Sequence, residues 1–166
     1  RGRKEAKAAE AAALRGEPLG ALHGLPTGIK DLHETEGLLT TYGSPLHRGF
    51  VPERDAAMVA LVRKAGAIVV AKTSTPEFAW GVTTGSEAFG DTLHPSDPGR
   101  IPGGSSGGAA VAIADGVVAA GLGTDTGGSV RIPAALCGVT GFKPSYGALP
   151  SQGIFPLAAS PHQPGL

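Results

Sequence analysis

Two glycine-rich loops carry the serines that are best placed to do chemistry. Residues 103–108 have the sequence GGSSGG and residues 124–129 have the sequence TDTGGS, so Ser105 and Ser129 lie 24 residues apart. Each loop offers a hydroxyl and several backbone N–H groups that no side chain obstructs, because glycine has no Cβ. Converging N–H groups bind a phosphate or a transient oxyanion. Two such loops favour a functional site over a pair of tight turns.

Three familiar glycine-rich motifs match these loops poorly. Neither loop has the lysine with which a P-loop meets the β- and γ-phosphates. The segment DPGRIP before GGSSGG cannot form the strand that precedes a dinucleotide-binding fingerprint. The same missing strand makes the G-x-S-x-G pattern accidental, and the one histidine downstream, His162, lies near the end of the chain. Nucleotide binding and a nucleophile elbow are therefore disfavoured.

A nucleophilic serine needs a base, and the sequence offers histidines and lysines. The five histidines show no ligand spacing and are predicted to be surface or loop residues. A lysine can replace histidine when burial holds it neutral. Lys30 follows the apolar segment LPTGI, but Lys72 after AIVVA and Lys143 in GFKP have similar contexts. Lys30 can also be interpreted as a surface lysine paired with Asp31. The residues alone therefore do not decide which of the three lysines is the base.

Composition sets limits on the class of protein. The 166 residues are 41% hydrophobic, enough for a buried core, and 41 of them are Gly or Pro, which predicts a loop-rich globular chain. Fourteen basic and fourteen acidic residues cancel, so there is no charge pattern for nucleic acid or an anionic membrane. A single cysteine, Cys137, excludes internal disulfides and multi-cysteine zinc sites. No apolar stretch is long enough to predict a transmembrane helix, and no signal peptide is expected.

In the first half of the chain, predicted helices alternate with predicted strands. Residues 3–15 predict a peripheral helix, and residues 25–29 a short strand that leads into Lys30. Asp55 is a predicted N-cap, and Gly66 a predicted C-cap, of an amphipathic helix. The apolar face of this helix is Met58, Val59, Leu61 and Val62. The segment AIVVAK then predicts a buried strand, as in α/β proteins.

The second half predicts long loops around short elements. Residues 81–104 have no periodicity and many glycines and prolines, and a loop of this length is usually functional or disordered. Residues 109–116 predict a short buried helix, and residues 117–123 a strand. Residues 130–138 predict a short helix with Pro133 in its first turn. Residues 139–147 predict a strand and turn.

Three segments resemble the amidase signature family: GLPTGIKD, RIPGGSSGGAAVAIADG and GLGTDTGGSVRIPAALCGVTGFKPSYG. The similarity runs from about Leu22 to about Ala159. It implies an α/β fold with a mixed β-sheet covered by helices, and a Ser–cis-Ser–Lys triad. By position, Ser129 corresponds to the nucleophile, Ser105 to the bridging serine after a cis peptide bond, and Lys30 to the base.

The resemblance also implies roles for the residues around this triad. The backbone of Thr126, Gly127, Gly128 and Ser129 corresponds to the oxyanion hole. Ser106, Asp125 and Arg131 correspond to supporting residues. The family chemistry needs no metal and no organic cofactor, and it acts on a small-molecule amide.

The family domain is several hundred residues long, so we expect only its N-terminal part here. The expected division is a helical segment at residues 1–20 and a portion of the amidase signature domain at residues 21–166. The tail SPHQPGL also lacks an aspartate that relatives usually have. An inactive fragment is therefore one alternative to an active amidase.

A second alternative is the glutaminase-type A subunit of a tRNA-dependent amidotransferase, which works with partner subunits. Relatives of that kind usually carry a D-E-F-A-M-G-like segment where this chain has PEFAWG at residues 76–81. This difference favours a general amidase. A homodimer and a cytoplasmic location are further expectations of that interpretation.

Overall fold

A computed structural model describes residues 1–157 and 163–166, so His162 lies outside the described residues. The described strands are β1 (Pro26–Lys30), β2 (Ile68–Thr73), β3 (Gly85–Ser86), β4 (Gly90–Asp91), β5 (Ala120–Asp125) and β6 (Gln163–Gly165). Four of them form one sheet in the order β2-β1-β5-β6. β1 is parallel to β2 and β5, and β6 is antiparallel to β5. The mixed sheet with helices confirms the predicted α/β class.

The described helices are α1 (Gly2–Leu14), α2 (Ala57–Lys64), α3 (Gly107–Ala114) and α4 (Arg131–Cys137). α1 has no buried residue, which confirms the predicted peripheral helix. α3 begins directly after the GGSS segment and contacts α4, β1 and β5. Pro133 lies in the first turn of α4, as predicted. No helix within residues 1–157 and 163–166 is both long enough and apolar enough to cross a membrane.

The centre of the molecule is β1, which has a neighbour on each side. Successive side chains of a strand point to opposite faces. Ile29 is fully buried in the core cluster that also contains Val59 of α2, Val69 of β2 and Leu122 of β5. Burying a side chain of this size stabilises the fold by about 1.5–3 kcal/mol. The same alternation directs Lys30 to the other face of the sheet.

The structure corrects several predicted details of α2. The N-cap is Ala56, and Asp55 instead accepts a hydrogen bond from the Glu36 N–H (2.8 Å) and pairs with Arg63 (3.1 Å). Met58, Val59 and Val62 are buried, but Leu61 is exposed, because it lies at the edge of the apolar stripe. Ala65 is the C-cap, one residue before Gly66, which has a positive φ of 97°.

Other corrections concern the strands. β2 is only partly buried, and its exposed Val70 lies at the irregularity where the register with β1 passes from Val69 to Ala71. β5 begins three residues later than predicted and continues to Asp125, while a two-stranded hairpin of β3 and β4 lies within the predicted loop 81–104. Residues 139–147 contain no strand, although Phe142 exchanges two backbone hydrogen bonds with Leu166 (2.6 and 3.0 Å).

Candidate active site

Lys30 is a fully buried lysine at the centre of the site. It is 0% exposed, and its Nζ lies 2.7 Å from Ser105 Oγ and 2.8 Å from Thr124 Oγ1. Lys30 ends β1 and Thr124 is near the end of β5, so both lie at the same edge of the sheet, where parallel strands finish. The fold therefore brings together three residues that are up to 94 positions apart.

The surroundings of Lys30 favour its neutral form. Burial lowers the pKa of Lys30 well below its ordinary value, and the negative charge of Asp125 only partly opposes this shift. Both of its hydrogen-bond partners are hydroxyls, which carry no charge to hold a proton on the amine. A neutral amine has a lone pair, so Lys30 is suited to accept a proton.

The first serine loop, residues 103–108, has an unusual backbone conformation where it approaches Lys30. The peptide bond between Gly104 and Ser105 is cis, and Gly103 has a positive φ of 80°. The Ser106 N–H donates to the backbone oxygen of Ser129 (3.0 Å), so this bond holds the two serine loops side by side. Ser129 is partly exposed, whereas Ser105 is fully buried. Of these two serines, Ser129 is therefore the one that solvent reaches.

Ser106 also fixes the end of β5. Its hydroxyl donates to the Thr124 backbone oxygen (3.3 Å) and accepts from the Thr124 N–H (3.4 Å). Thr124 was part of the TDTGGS motif, but the sequence assigned it no role. The signal that could have identified it is its place on β5, next to the strand that carries Lys30.

Asp125 organises the second serine loop. Its carboxylate accepts the backbone N–H groups of Gly128 (2.8 Å), Val130 (3.1 Å) and Arg131 (3.3 Å). The Arg131 side chain adds two hydrogen bonds through Nε (3.0 Å) and Nη2 (2.9 Å). Burial by itself would raise the pKa of Asp125, but the bonds from Arg131 and Val130 outweigh it and the pKa is lowered. The carboxylate is therefore ionised and holds the loop.

The four residues expected to form an oxyanion hole lie in this loop, but their N–H groups differ. Gly128 has a positive φ of 130°, and its N–H points to Asp125. Gly127 is exposed, and Thr126 and Ser129 are partly exposed. The Gly128 N–H is therefore engaged within the protein, at the base of the loop.

The two other candidate lysines have different partners. Lys72 forms an ion pair with Asp31 (3.0 Å) and donates to the His33 backbone oxygen (2.7 Å). Asp31 is thus the ion-pair partner of Lys72. The interpretation of Lys30 as a surface lysine paired with Asp31 is wrong. Lys143 donates to the Pro144 backbone oxygen (2.9 Å).

Among the histidines, His33 contacts Lys30 through the backbone, where its N–H donates to the Lys30 carbonyl oxygen (3.0 Å). His33 follows β1 in a turn, but it is fully buried rather than on the surface, and its Nε2 lies 3.1 Å from the Gly123 backbone oxygen. This position next to β5 explains its burial. His94 is bonded to the Leu136 backbone oxygen on the surface. The described residues contain no group of three His, Cys, Asp or Glu side chains that could hold a metal ion.

The chain is similar to known proteins in sequence and in fold. The profile of the Amidase family matches residues 2–166. The glutamyl-tRNA(Gln) amidotransferase A subunit of Methanococcoides burtonii is 48% identical over 151 residues, which are 91% of this chain and 32% of the relative. The crystal structure of the corresponding protein from Thermotoga maritima is 44% identical with a TM-score of 0.85, over 89% of this chain and 33% of that one.

A solved amidase of another kind has a similar fold. The native peptide amidase from Stenotrophomonas maltophilia is 35% identical, with a TM-score of 0.92 over 99% of this chain and 35% of that one. The chain spans about a third of the length of the curated relatives that it matches.

Proposed function

This chain belongs to the amidase family, and on that premise we propose that it hydrolyses carboxamides to a carboxylate and ammonia or an amine. The observation that carries the proposal is the buried contact between Lys30 Nζ and Ser105 Oγ at 2.7 Å. A buried amine whose two hydrogen-bond partners are hydroxyls is suited to accept a proton from a serine. We propose further that residues 21–166 form the N-terminal portion of the domain, after a helical segment at residues 1–20.

The proposed proton route runs from the accessible serine to the buried lysine. Lys30 donates one hydrogen to Thr124 Oγ1 and accepts the Ser105 proton with its lone pair. Ser105 in turn takes the proton of Ser129, whose oxygen forms a bond to the carbonyl carbon of the amide. The electron pair of the carbonyl moves to its oxygen, which becomes a tetrahedral oxyanion.

The second serine loop would stabilise this oxyanion. In the proposal the donors come from the backbone of residues 126–129, apart from the Gly128 N–H that Asp125 engages. Removing one such donor typically costs about 10²- to 10³-fold in rate. The C–N bond then breaks, and the amine leaves with the proton that the lysine had received. Water hydrolyses the acyl group from Ser129 and restores the free enzyme, without a metal or organic cofactor.

The test is activity of the protein made from its complete reading frame. We expect release of ammonia or amine from a panel of small amides, and labelling of Ser129 by a serine-directed fluorophosphonate. Ser129→Ala should abolish both, because the attacking oxygen is removed. Ser145→Ala is the matched control, since Ser145 is exposed and outside both loops. Undiminished labelling of Ser129→Ala would reject the assignment, and a wild-type protein without turnover would favour the inactive alternative.

A second candidate function is that of an amidotransferase A subunit, because the Methanococcoides relative of that name is 48% identical. On this hypothesis the amide is glutamine, and partner subunits take up the ammonia. The segment PEFAWG at residues 76–81 favours the general amidase instead. Glutaminase activity that appears only with partner subunits and charged tRNA would support the amidotransferase. Turnover of several unrelated amides by the protein alone would support the amidase.

A further inference from the structure

Thr84 lies beside the first serine loop although it is 19 residues before it in the chain. The side chain is only 3% exposed. The residue directly precedes β3, and its backbone oxygen accepts the Thr92 N–H (2.9 Å) from the other side of the β3–β4 hairpin. The hairpin therefore holds the backbone from which the Thr84 side chain projects.

The Thr84 hydroxyl uses both its donor and its acceptor on the serine loop. It donates to the Gly103 backbone oxygen (2.9 Å) and accepts from the Gly107 N–H (3.0 Å). These two groups lie on either side of the segment that contains Ser105 and Ser106. One hydroxyl can donate once and accept through its lone pairs, so this arrangement makes full use of its hydrogen-bonding geometry. The loop is tied to Thr84 at two points.

The first serine loop also packs directly against residues 83–84. A Cβ on Gly104 would collide with the backbone of Thr83, and a Cβ on Gly107 would collide with the Thr84 side chain. The glycines thus allow the loop to lie directly on residues 83–84. They also make the loop intrinsically flexible, because glycine has the widest choice of backbone angles. A loop of this composition needs hydrogen bonds from outside to keep one conformation.

We propose that Thr84 is a positioning residue that holds Ser105 at the distance from Lys30 at which a proton can pass. This inference rests on the amide hydrolysis proposed above. Thr84 does not touch either reacting atom; it acts through the backbone of Gly103 and Gly107. Losing its hydroxyl leaves the Gly107 N–H and the Gly103 carbonyl without this partner and frees the loop to shift. A small displacement of a catalytic group can cost about 100-fold in rate.

The experiment compares Thr84→Val with Thr84→Ser in the protein made from its complete reading frame. Valine keeps the size of threonine but removes the hydroxyl, whereas serine keeps the hydroxyl. We expect Thr84→Val to lower kcat about 10- to 100-fold with little change in KM, and Thr84→Ser to recover most of it. Thr27→Val is the control, because Thr27 is a buried threonine at the start of β1 whose hydroxyl donates to the Leu25 backbone oxygen.

Circular dichroism and thermal unfolding identify variants that do not fold. If Thr84→Val does not fold, Thr84→Cys takes its place and is compared with Thr84→Ser, since cysteine has the shape of serine but a thiol hydrogen-bonds more weakly than a hydroxyl. Two results overturn the inference: a kcat loss in Thr84→Val that Thr84→Ser does not recover, or a loss equal to that of Thr27→Val. In both cases the wild-type protein still turns over amides, so the proposed function stands. A wild-type protein that turns over no amide overturns the proposed function and this inference with it.

Discussion

Lys30 and Lys72 lie at the same edge of the sheet but have opposite surroundings, since Lys30 is fully buried and Lys72 is half-buried. Lys30, at the end of β1, faces the hydroxyls of Ser105 and Thr124. Lys72, near the end of β2, faces the carboxylate of Asp31 at 3.0 Å. Burial lowers the pKa of both amines, but only for Lys30 is it lowered well below the ordinary value. Lys30 has two hydroxyl partners and is suited to be a base, whereas Lys72 is paired directly with the carboxylate of Asp31 and serves as a structural cation.

The register of the two strands explains the difference. Ile29 is paired with Lys72, and Lys30 with Thr73. Because paired residues of parallel strands point to the same face, Lys72 shares a face with Ile29 and Lys30 points to the opposite one. Asp31, one residue after Lys30, is therefore on the side of Lys72. Two similar sequence contexts thus give two different chemical roles.

The largest expected effect is on turnover. Lys30→Met should lower kcat about 10²- to 10⁴-fold, which is the range for loss of a general base. Lys72→Met should lower kcat per folded molecule by about threefold or less, because it contacts no part of the serine loops. Steady-state kinetics on the two variants, corrected for the folded fraction, measure the difference. Similar losses in both would show that the two lysines are not distinct in role.

The next effect is on stability, and here the order of the two lysines reverses. Lys72→Met should lower the free energy of unfolding by about 1–3 kcal/mol, because it leaves the half-buried carboxylate of Asp31 without its cation. Adding Asp31→Asn to Lys72→Met should recover part of the loss, since the charge is then removed as well. Lys30→Met should be neutral or stabilising. Urea unfolding checks this series, and no recovery in the double variant would contradict the ion-pair explanation.

The smallest effect is the dependence on pH. Because the pKa of Lys30 is lowered on folding, the unfolded chain binds more protons between the lowered pKa and the ordinary lysine pKa. Stability should therefore rise with pH in that window, by up to about 1.4 kcal/mol per pH unit. Activity should rise in the same direction, as the neutral base becomes populated. Lys30→Met should flatten the stability curve, and parallel curves for wild type and variant would refute a neutral Lys30.

The sequence was most informative where a segment has both a pattern and a motif. The strand before Lys30 and the helix after GGSS follow from apolar periodicity and glycine placement, and both are present. The lysine itself could not be chosen from the residues. That choice depends on the register between β1 and β2, which decides whether Asp31 reaches Lys30 or Lys72. Only the resemblance to the amidase signature family distinguished them.

The features that the sequence did not predict depend on contacts between residues far apart in the chain. Thr84 lies in a segment without periodicity, and only the folded hairpin brings it to Gly103. β6 has the sequence QPG, in which neither length nor residue type indicates a strand. Asp55 is a residue typical of an N-cap, but its partners Glu36 and Arg63 hold it away from the end of α2. Tertiary hydrogen bonds outweighed the local preference in each case.

The place of β1 between β2 and β5 has a consequence for biosynthesis. Lys30 is made 94 residues before Thr124, which at ordinary translation speed is a delay of roughly 5 to 20 s. Once β2 has been made, β1 can pair with it on one side, but the other side of β1 has no partner strand until β5 follows. Such an edge is open to other nascent chains. The amine of Lys30 meanwhile stays in water as an ordinary cation, and it loses its proton only when Ser105 and Thr124 enclose it.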